Sequence, residues 1–257
     1  MPASTPQTAP TPAVAAIPAF VNDRYHEELR TDYTGLIQRV RSDIDHKGMA
    51  VLEQFLHPDF LARLQSSVEE LTPRCYAGEK RKPLIGSDLR DTRFWDMTFD
   101  EFTIQMANDI LAPFHVHLEA SDIHPALNIL VGDRGQDTVG GWHFDATYLT
   151  IAMPVVMPPP SGTGDGKFRI WPNVRKFSQS RFQDRIYSNL AHIGALRKFV
   201  KNYAINFIPG NLYFFYGFRS YHGTDSLDSA QCRANCLINF GGPLFDLGNG
   251  KIIRYGR

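Results

Sequence analysis

Residues 141–157 read Gly-Trp-His-Phe-Asp-Ala-Thr-Tyr-Leu-Thr-Ile-Ala-Met-Pro-Val-Val-Met, and Pro158-Pro159-Pro160 closes the run. A polar, histidine-bearing segment passes here directly into an apolar stretch rich in strand formers, over 148–157. The same texture continues on both sides. Leu127, Ile129 and Val131 alternate on one face of a strand just upstream, and Gly132, Gly135, Gly140 and Gly141 mark turns around it. Downstream, strands are predicted over 167–171, 204–207, 212–216 and 232–240, with the turn Pro209-Gly210 among them. Residues 176–202 are more polar, with a helix predicted near 189–200. Short strands separated by Gly/Pro turns predict a double-sheet barrel or sandwich.

The first half has a different period. Leu29, Tyr33, Leu36, Ile37 and Val40 recur at helical spacing and predict an amphipathic helix over 25–44, broken by Gly48. A short strand follows at 49–52, then a helix over 59–71 that starts after Pro58 and stops before Pro73. Residues 74–93 are polar, hold Gly78, Pro83 and Gly86, and read as a long loop of the kind that carries substrate contacts. Another helix is predicted over 99–113. Residues 1–20 lack Lys and Arg and are interrupted by prolines, so they read as a disordered tail rather than a signal peptide. The expected organisation is that tail followed by one domain over 21–257, mainly β with flanking helices.

Composition narrows the function. With 257 residues and 29.1 kDa the chain is long enough to bury a sizeable core. It is 43% apolar and 21% charged, as a soluble globule is. Lys+Arg and Asp+Glu are both 27, so net charge gives no support to nucleic-acid or other polyanion binding. No apolar run approaches the length of a spanning helix, so no membrane role is expected. Cys75, Cys232 and Cys236 are too few, and odd in number, for a disulfide framework. Cys232 and Cys236 fall on one face of a strand, too far apart to bridge, and read as buried thiols in a reducing, cytoplasmic setting. There is no GxxxxGK[ST], GxGxxG or GxSxG motif.

The chemistry concentrates at His143-Phe144-Asp145. On an extended chain residues i and i+2 project to one side, so His143 and Asp145 can reach one metal ion. His222, 77 residues beyond Asp145 and preceded by its own strand-like run, is the best placed third ligand. Two imidazoles and one carboxylate form the facial arrangement of non-haem Fe(II) oxygenases, which leaves positions open for a chelating co-substrate and dioxygen. A histidine pair at His115 and His117, with His124 nearby, is the competing cluster, but no good third ligand completes it.

The ordered set His143-x-Asp145, His222 and Arg233, eleven residues past the distal histidine, resembles the Fe(II)/2-oxoglutarate-dependent dioxygenase superfamily. Gly141-Trp-His-Phe-Asp145 ahead of an apolar strand, Pro209-Gly210-Asn211-Leu212 and Arg219-Ser220-Tyr221-His222 resemble a small-molecule hydroxylase-like subgroup. The resemblance spans about 125–245 and, more weakly, the part from Gly48 onward. It implies a double-stranded β-helix (jelly-roll, cupin-like) core. It also implies Fe(II) held by His143, Asp145 and His222, with 2-oxoglutarate and O2 as co-substrates. Arg233 would grip the distal carboxylate of 2-oxoglutarate, a role that suits a guanidinium fork. Asn128 resembles a co-substrate-contacting position, although the tyrosine that many relatives carry nearby is replaced by Leu130 and Val131.

Arg219, Phe168, Arg169 and Trp171, with Arg175, are the substrate-side expectations, and their cations favour a small carboxylate-bearing metabolite, amino acid or natural-product intermediate. The reaction implied is hydroxylation of an unactivated C–H bond with release of succinate and CO2. The same ligand set also supports desaturation, ring closure or epoxidation. Asp145 stands where related halogenases lack a carboxylate, which disfavours halogenation. The alternatives are a protein or peptide hydroxylase, a cupin-like enzyme that does not use 2-oxoglutarate, and a non-catalytic jelly-roll ligand-binding protein.

Overall fold

The structure, a computed structural model, describes residues 15–77, 81–132, 142–159, 166–175, 203–228 and 231–242, with short backbone pairs at 245–246 and 251–252. The helix predicted near 189–200 and residues 1–14 of the expected tail lie outside the described residues. Residues 15–20 are described, and Phe20 is buried with its ring 5.6 Å from that of Phe60.

The helix predicted over 25–44 is two helices, α1 (His26–Thr31) and α2 (Tyr33–Lys47). Asp32 divides them because its carboxylate accepts the Gly35 N–H as an N-cap. The predicted stripe is nevertheless the buried face: Leu29 on α1, then Tyr33, Leu36, Ile37 and Val40 on α2. Gly48 ends α2 at φ 85°, in the left-handed conformation a glycine adopts freely. The strand β1 (Ala50–Leu52) follows, then α3 (Pro58–Cys75). α3 does not stop before Pro73 as predicted, because so close to the helix end the missing N–H forfeits a single bond. The predicted loop at 74–93 contains β2 (Leu84–Ile85) and a 3-10 turn. The helix predicted over 99–113 is α5 (Glu101–Leu111), which begins where Asp100 caps the Phe102 N–H; the short α4 (Arg93–Thr98) ahead of it was not predicted.

The later strands are β3 (Ile123–Val131), β4 (Leu149–Val156), β5 (Phe168–Trp171), β6 (Tyr203–Ile205), β7 (Leu212–Phe215), β8 (Tyr221–Thr224) and β9 (Cys232–Phe240). They form a six-stranded sheet in the order β1-β7-β4-β9-β3-β2 and a three-stranded sheet in the order β6-β5-β8. The pairings within both sheets are antiparallel.

Strand alternation assigns the two faces of the large sheet. Ile151, Met153, Phe214, Cys236 and Ile238 join Leu36, Leu64 and Phe102 of the helices in the main core. The residues between them face the other way. Ala152, Tyr213 and Phe215 pack with Phe168 and Ile170 of the small sheet in a second cluster. The helices therefore cover one face of the large sheet, and the small sheet lies against the other. The expected weight of the fold needs correction. It is mixed α/β with two antiparallel sheets rather than mainly β: α3 alone has 18 residues, against 9 for the longest strands.

Cys75, Cys232 and Cys236 are free thiols. Cys75 and Cys236 are buried, and burial pushes the Cys236 thiol up to about 12; Cys232 is only half-buried. Among the described residues, no helix is long and apolar enough to cross a membrane.

Candidate metal centre

Backbone pairing brings the two histidines together. The His143 N–H donates to the His222 carbonyl at 2.8 Å, and the His222 N–H donates to the His143 carbonyl at 2.9 Å. His143 thus continues the small sheet beside β8, with the imidazole centroids 4.5 Å apart. The Asp145 N–H donates to the Gly217 carbonyl at 3.1 Å, which returns its side chain to the same place. Asp145 Oδ1 lies 3.5 Å from His143 Nε2 and 3.4 Å from His222 Nε2. The His222 Nδ1 lies 2.9 Å from the Ser220 carbonyl, which can only accept. Nδ1 therefore carries a proton, and Nε2 is the nitrogen turned toward the cluster.

Asp145 is prepared in the same way. Burial on its own pushes the carboxyl up, but the facing histidines, His222 foremost, outweigh it and hold the group well below the usual carboxylate range. Thr150 Oγ1 donates to Asp145 Oδ2 at 2.6 Å, which leaves Oδ1 directed at the histidines. Two imidazole nitrogens and one carboxylate oxygen, all within 4.8 Å of one another, are the donor set of a divalent transition metal. Among the described residues no second such group forms, so His115, His117 and His124 are not a metal cluster. His124 instead meets the Gly242 carbonyl at 2.9 Å.

Gly217 was not singled out by sequence. A Cβ built there falls 2.6 Å from Thr150 Oγ1 and 2.7 Å from Asp145 Cβ, and closer still to Asp145 Oδ2. The Asp145 carboxylate occupies the volume that any larger residue at 217 would claim.

A cavity of about 440 Å³ opens on the cluster. His143, Thr150 and His222 lie at one side, and Arg233, Asn128, Asn235 and Arg81 supply much of the polar wall. Phe168, Phe215, Leu130 and Leu237 supply the apolar wall. Thr224, two residues past His222 on β8, also lines it. Arg233, Asn235 and Leu237 alternate along β9, and all three reach the cavity. Arg233 is 5% exposed, and its Nε has no hydrogen-bond partner among the described residues. Burial lowers its pKa to about 10. Asp225, eight residues before it, pairs with Arg169 Nε at 2.6 and 2.8 Å.

Not every predicted substrate residue reaches this cavity. On β5, Phe168 and Ile170 point inward and Arg169 and Trp171 outward, so alternation removes Arg169 and Trp171 from the wall. Arg219 is held away from it, with Nη1 3.1 Å from Asp45 on α2 and Nε donating to the Arg175 carbonyl. The second cation on the wall is Arg81, whose Nη1 donates to Asn128 Oδ1 at 3.4 Å. It lies in the segment flagged at 74–93, but no local pattern distinguishes it from the other basic residues there.

Arg175 has a different place. Its guanidinium lies 3.6 Å over the ring of Phe144 and 5.1 Å from that of Phe218. Phe144 separates the ligands His143 and Asp145, and Phe218 follows Gly217. Tyr221 backs this layer, 5.0 Å from Phe144 and 5.4 Å from Trp142 between ring centroids. Arg175 thus bridges the two chain segments that carry the ligands through cation–π contacts. Arg175→Met should leave the fold intact and weaken divalent-metal affinity by about tenfold, the size of effect seen when ligand-orienting neighbours are lost. Chelator competition measures it, and an unchanged affinity would count against this bridge.

The fold and the site define a protein of two packed antiparallel sheets, resembling a jelly roll, with a two-histidine, one-carboxylate cluster at a cavity. Solved structures of that architecture match it. EctD from S. alaskensis with bound Fe is 15% identical, with a TM-score of 0.57 over 85% of this chain and 80% of that one. A prolyl 4-hydroxylase from Phytophthora capsici is 14% identical, with a TM-score of 0.56 over 88% of this chain and 70% of that one. The non-heme alpha ketoglutarate dependent epimerase SnoN from nogalamycin biosynthesis is 11% identical, with a TM-score of 0.56 over 87% of this chain and 92% of that one. At these identities the likeness is one of fold. No protein-family model matches the sequence, and no curated protein does.

Proposed function

We propose that this protein is an Fe(II)- and 2-oxoglutarate-dependent oxygenase that hydroxylates a small carboxylate-bearing metabolite, amino acid or natural-product intermediate. One observation carries the reading: a buried guanidinium with no acidic partner among the described residues, Arg233, shares a cavity with the His143, Asp145 and His222 cluster. A cation in that position requires an anion, and a dicarboxylate that also reaches the metal supplies one. In this reading His143, Asp145 and His222 hold Fe(II), Arg233 grips the far carboxylate of 2-oxoglutarate, and Asn128 sits beside it. When bound, iron with 2-oxoglutarate and dioxygen supplies oxidative attack on a C–H bond, with succinate and CO2 as co-products. The chain itself orients the ligands through Thr150 and Ser220 and excludes water with Phe168, Phe215 and Leu237.

A cavity of about 440 Å³ has the volume of a small-molecule site, which favours a metabolite over a peptide. The preference for an acidic substrate rests on Arg81, since Arg169 and Arg219 do not reach the wall. Free cysteines suit a reducing, cytoplasmic setting.

Anaerobic protein loaded with Fe(II) and titrated with 2-oxoglutarate should develop a saturable visible metal-to-ligand charge-transfer band. Iron binding without the band would point to a cupin-like metalloenzyme. Failure to bind iron would leave a jelly-roll ligand-binding protein.

A further inference from the structure

We propose that Asn173 is a positioning residue for the metal centre, linking the end of α2 to the imidazole of His222 through Ser220; this rests on the metal-centre reading above. Asn173 lies just past β5 and Ser220 just before β8, where the ladder between those strands ends at the pair Trp171 and Tyr221. The Asn173 N–H donates to Ser220 Oγ at 3.2 Å. The Asn173 side-chain amide donates to two carbonyls of α2, Ile44 at 2.8 Å and Asp45 at 3.1 Å. Both can only accept, so the amide nitrogen is the atom that faces them. The Asp45 carbonyl is among those a helix leaves without an intrahelical partner at its end. Arg219 braces the same junction, with Nη1 3.1 Å from the Asp45 carboxylate. A Cβ at Gly48, which ends α2, would collide with Pro172, so the helix end and this turn are in direct contact.

Ser220 is the middle link. It is fully buried, and three of its groups are engaged. Its N–H donates to the Tyr216 carbonyl at 3.0 Å, its Oγ accepts from Asn173, and its carbonyl faces His222 Nδ1 at 2.9 Å. With the first two held, the carbonyl points one way, and the imidazole is fixed by meeting it. Asn173 makes its contacts from a φ of 51°, in the left-handed region where side chains other than glycine are uncommon and asparagine is among the best tolerated. Glycine would hold the same turn but could not reach α2. Asparagine does both, and the helical half of the chain thereby fixes a ligand carried by the small sheet.

The test uses full-length protein, Zn(II) as the metal probe, and the variants Asn173→Gly, Ser220→Ala and the two combined. Two readouts are taken: Zn(II) affinity by chelator competition, and the solvent exchange rate of the His222 Nδ1–H by NMR of the zinc-loaded, 15N-histidine-labelled protein. Each single variant should weaken Zn(II) binding by about tenfold and speed the exchange by a similar factor. The combined variant should lose no more than the worse single one, because links of one chain fail together. Val40→Ala, which loosens α2 within the core, is the control: it should lower the melting temperature and leave both readouts unchanged. Unchanged affinity or exchange in a single variant, losses that add in the combined variant, or an equal loss in Val40→Ala would overturn the inference. Where Asn173→Gly does not fold, Ser220→Ala decides alone, since it leaves the cap on α2 in place. Failure of the unaltered protein to bind Zn(II) would instead remove the metal-centre reading on which the inference stands.

Discussion

Arg233→Met is expected to abolish saturable 2-oxoglutarate binding and, at the same time, to raise the melting temperature of the metal-free protein. The two effects share one cause. Arg233 keeps its charge in a place where burial opposes it, and burial lowers its pKa to about 10. Each unit corresponds to about 1.4 kcal/mol, so the charge costs the fold roughly 3 kcal/mol. At neutral pH the group is protonated in both folded and unfolded states, and the cost is present in full.

Methionine retains apolar stem volume near Phe207 and removes the charge. At about 2–4 °C per kcal/mol for a chain of this size, a rise of several degrees is expected by calorimetry. Losing one partner of a buried charge pair costs about 2–5 kcal/mol, so 2-oxoglutarate affinity should fall by about 30-fold to several thousand-fold. A variant that melts lower, or that still saturates with 2-oxoglutarate, would show that Arg233 serves the fold instead.

Gly217→Ala should remove the metal site with a single methyl group. The glycine does not have a positive φ, so alanine is acceptable to the backbone. The obstacle is the Asp145 carboxylate and the Thr150 hydroxyl, which already fill the space of the new Cβ. Asp145 must turn away, and with it goes the Thr150 bond that directs Oδ1 at the histidines. Overpacking of this kind costs about 1–3 kcal/mol, which a folded chain can absorb. Fe(II) affinity should drop by at least about 100-fold, approaching the loss in Asp145→Ala, while circular dichroism stays unchanged. Iron measured per chain after desalting gives the answer, and a full complement in Gly217→Ala would refute the steric account.

The sites differ in how far they could be read from sequence. His143 and Asp145 are two residues apart on extended chain, so their convergence is a local property. His222 and Arg233 were legible as an ordered pattern before the strands that join them were seen. Arg169 and Trp171 were misplaced because a strand with mixed aromatic and basic residues does not reveal which alternate set faces inward. Arg81 and Gly217 carry no local signal. One matters through where a polar segment crosses β3, the other through an atom of a residue 72 positions earlier.

The helix boundaries show the same division. The apolar stripe from Leu29 to Val40 is buried as its spacing requires, since periodicity records which face meets the core. The break at Asp32 and the continuation through Pro73 depend on one capping bond and on distance from a helix end, and the stripe is blind to both. By itself the sequence determined the strand-rich second half, the helical first half, the three candidate metal ligands and the arginine after them. These are encoded in short-range period and residue type. Tertiary structure alone decided which face of each strand looks into the cavity, which cations line it, and why position 217 must be glycine. Those outcomes depend on register between strands far apart in the chain, and on volume already taken by another side chain.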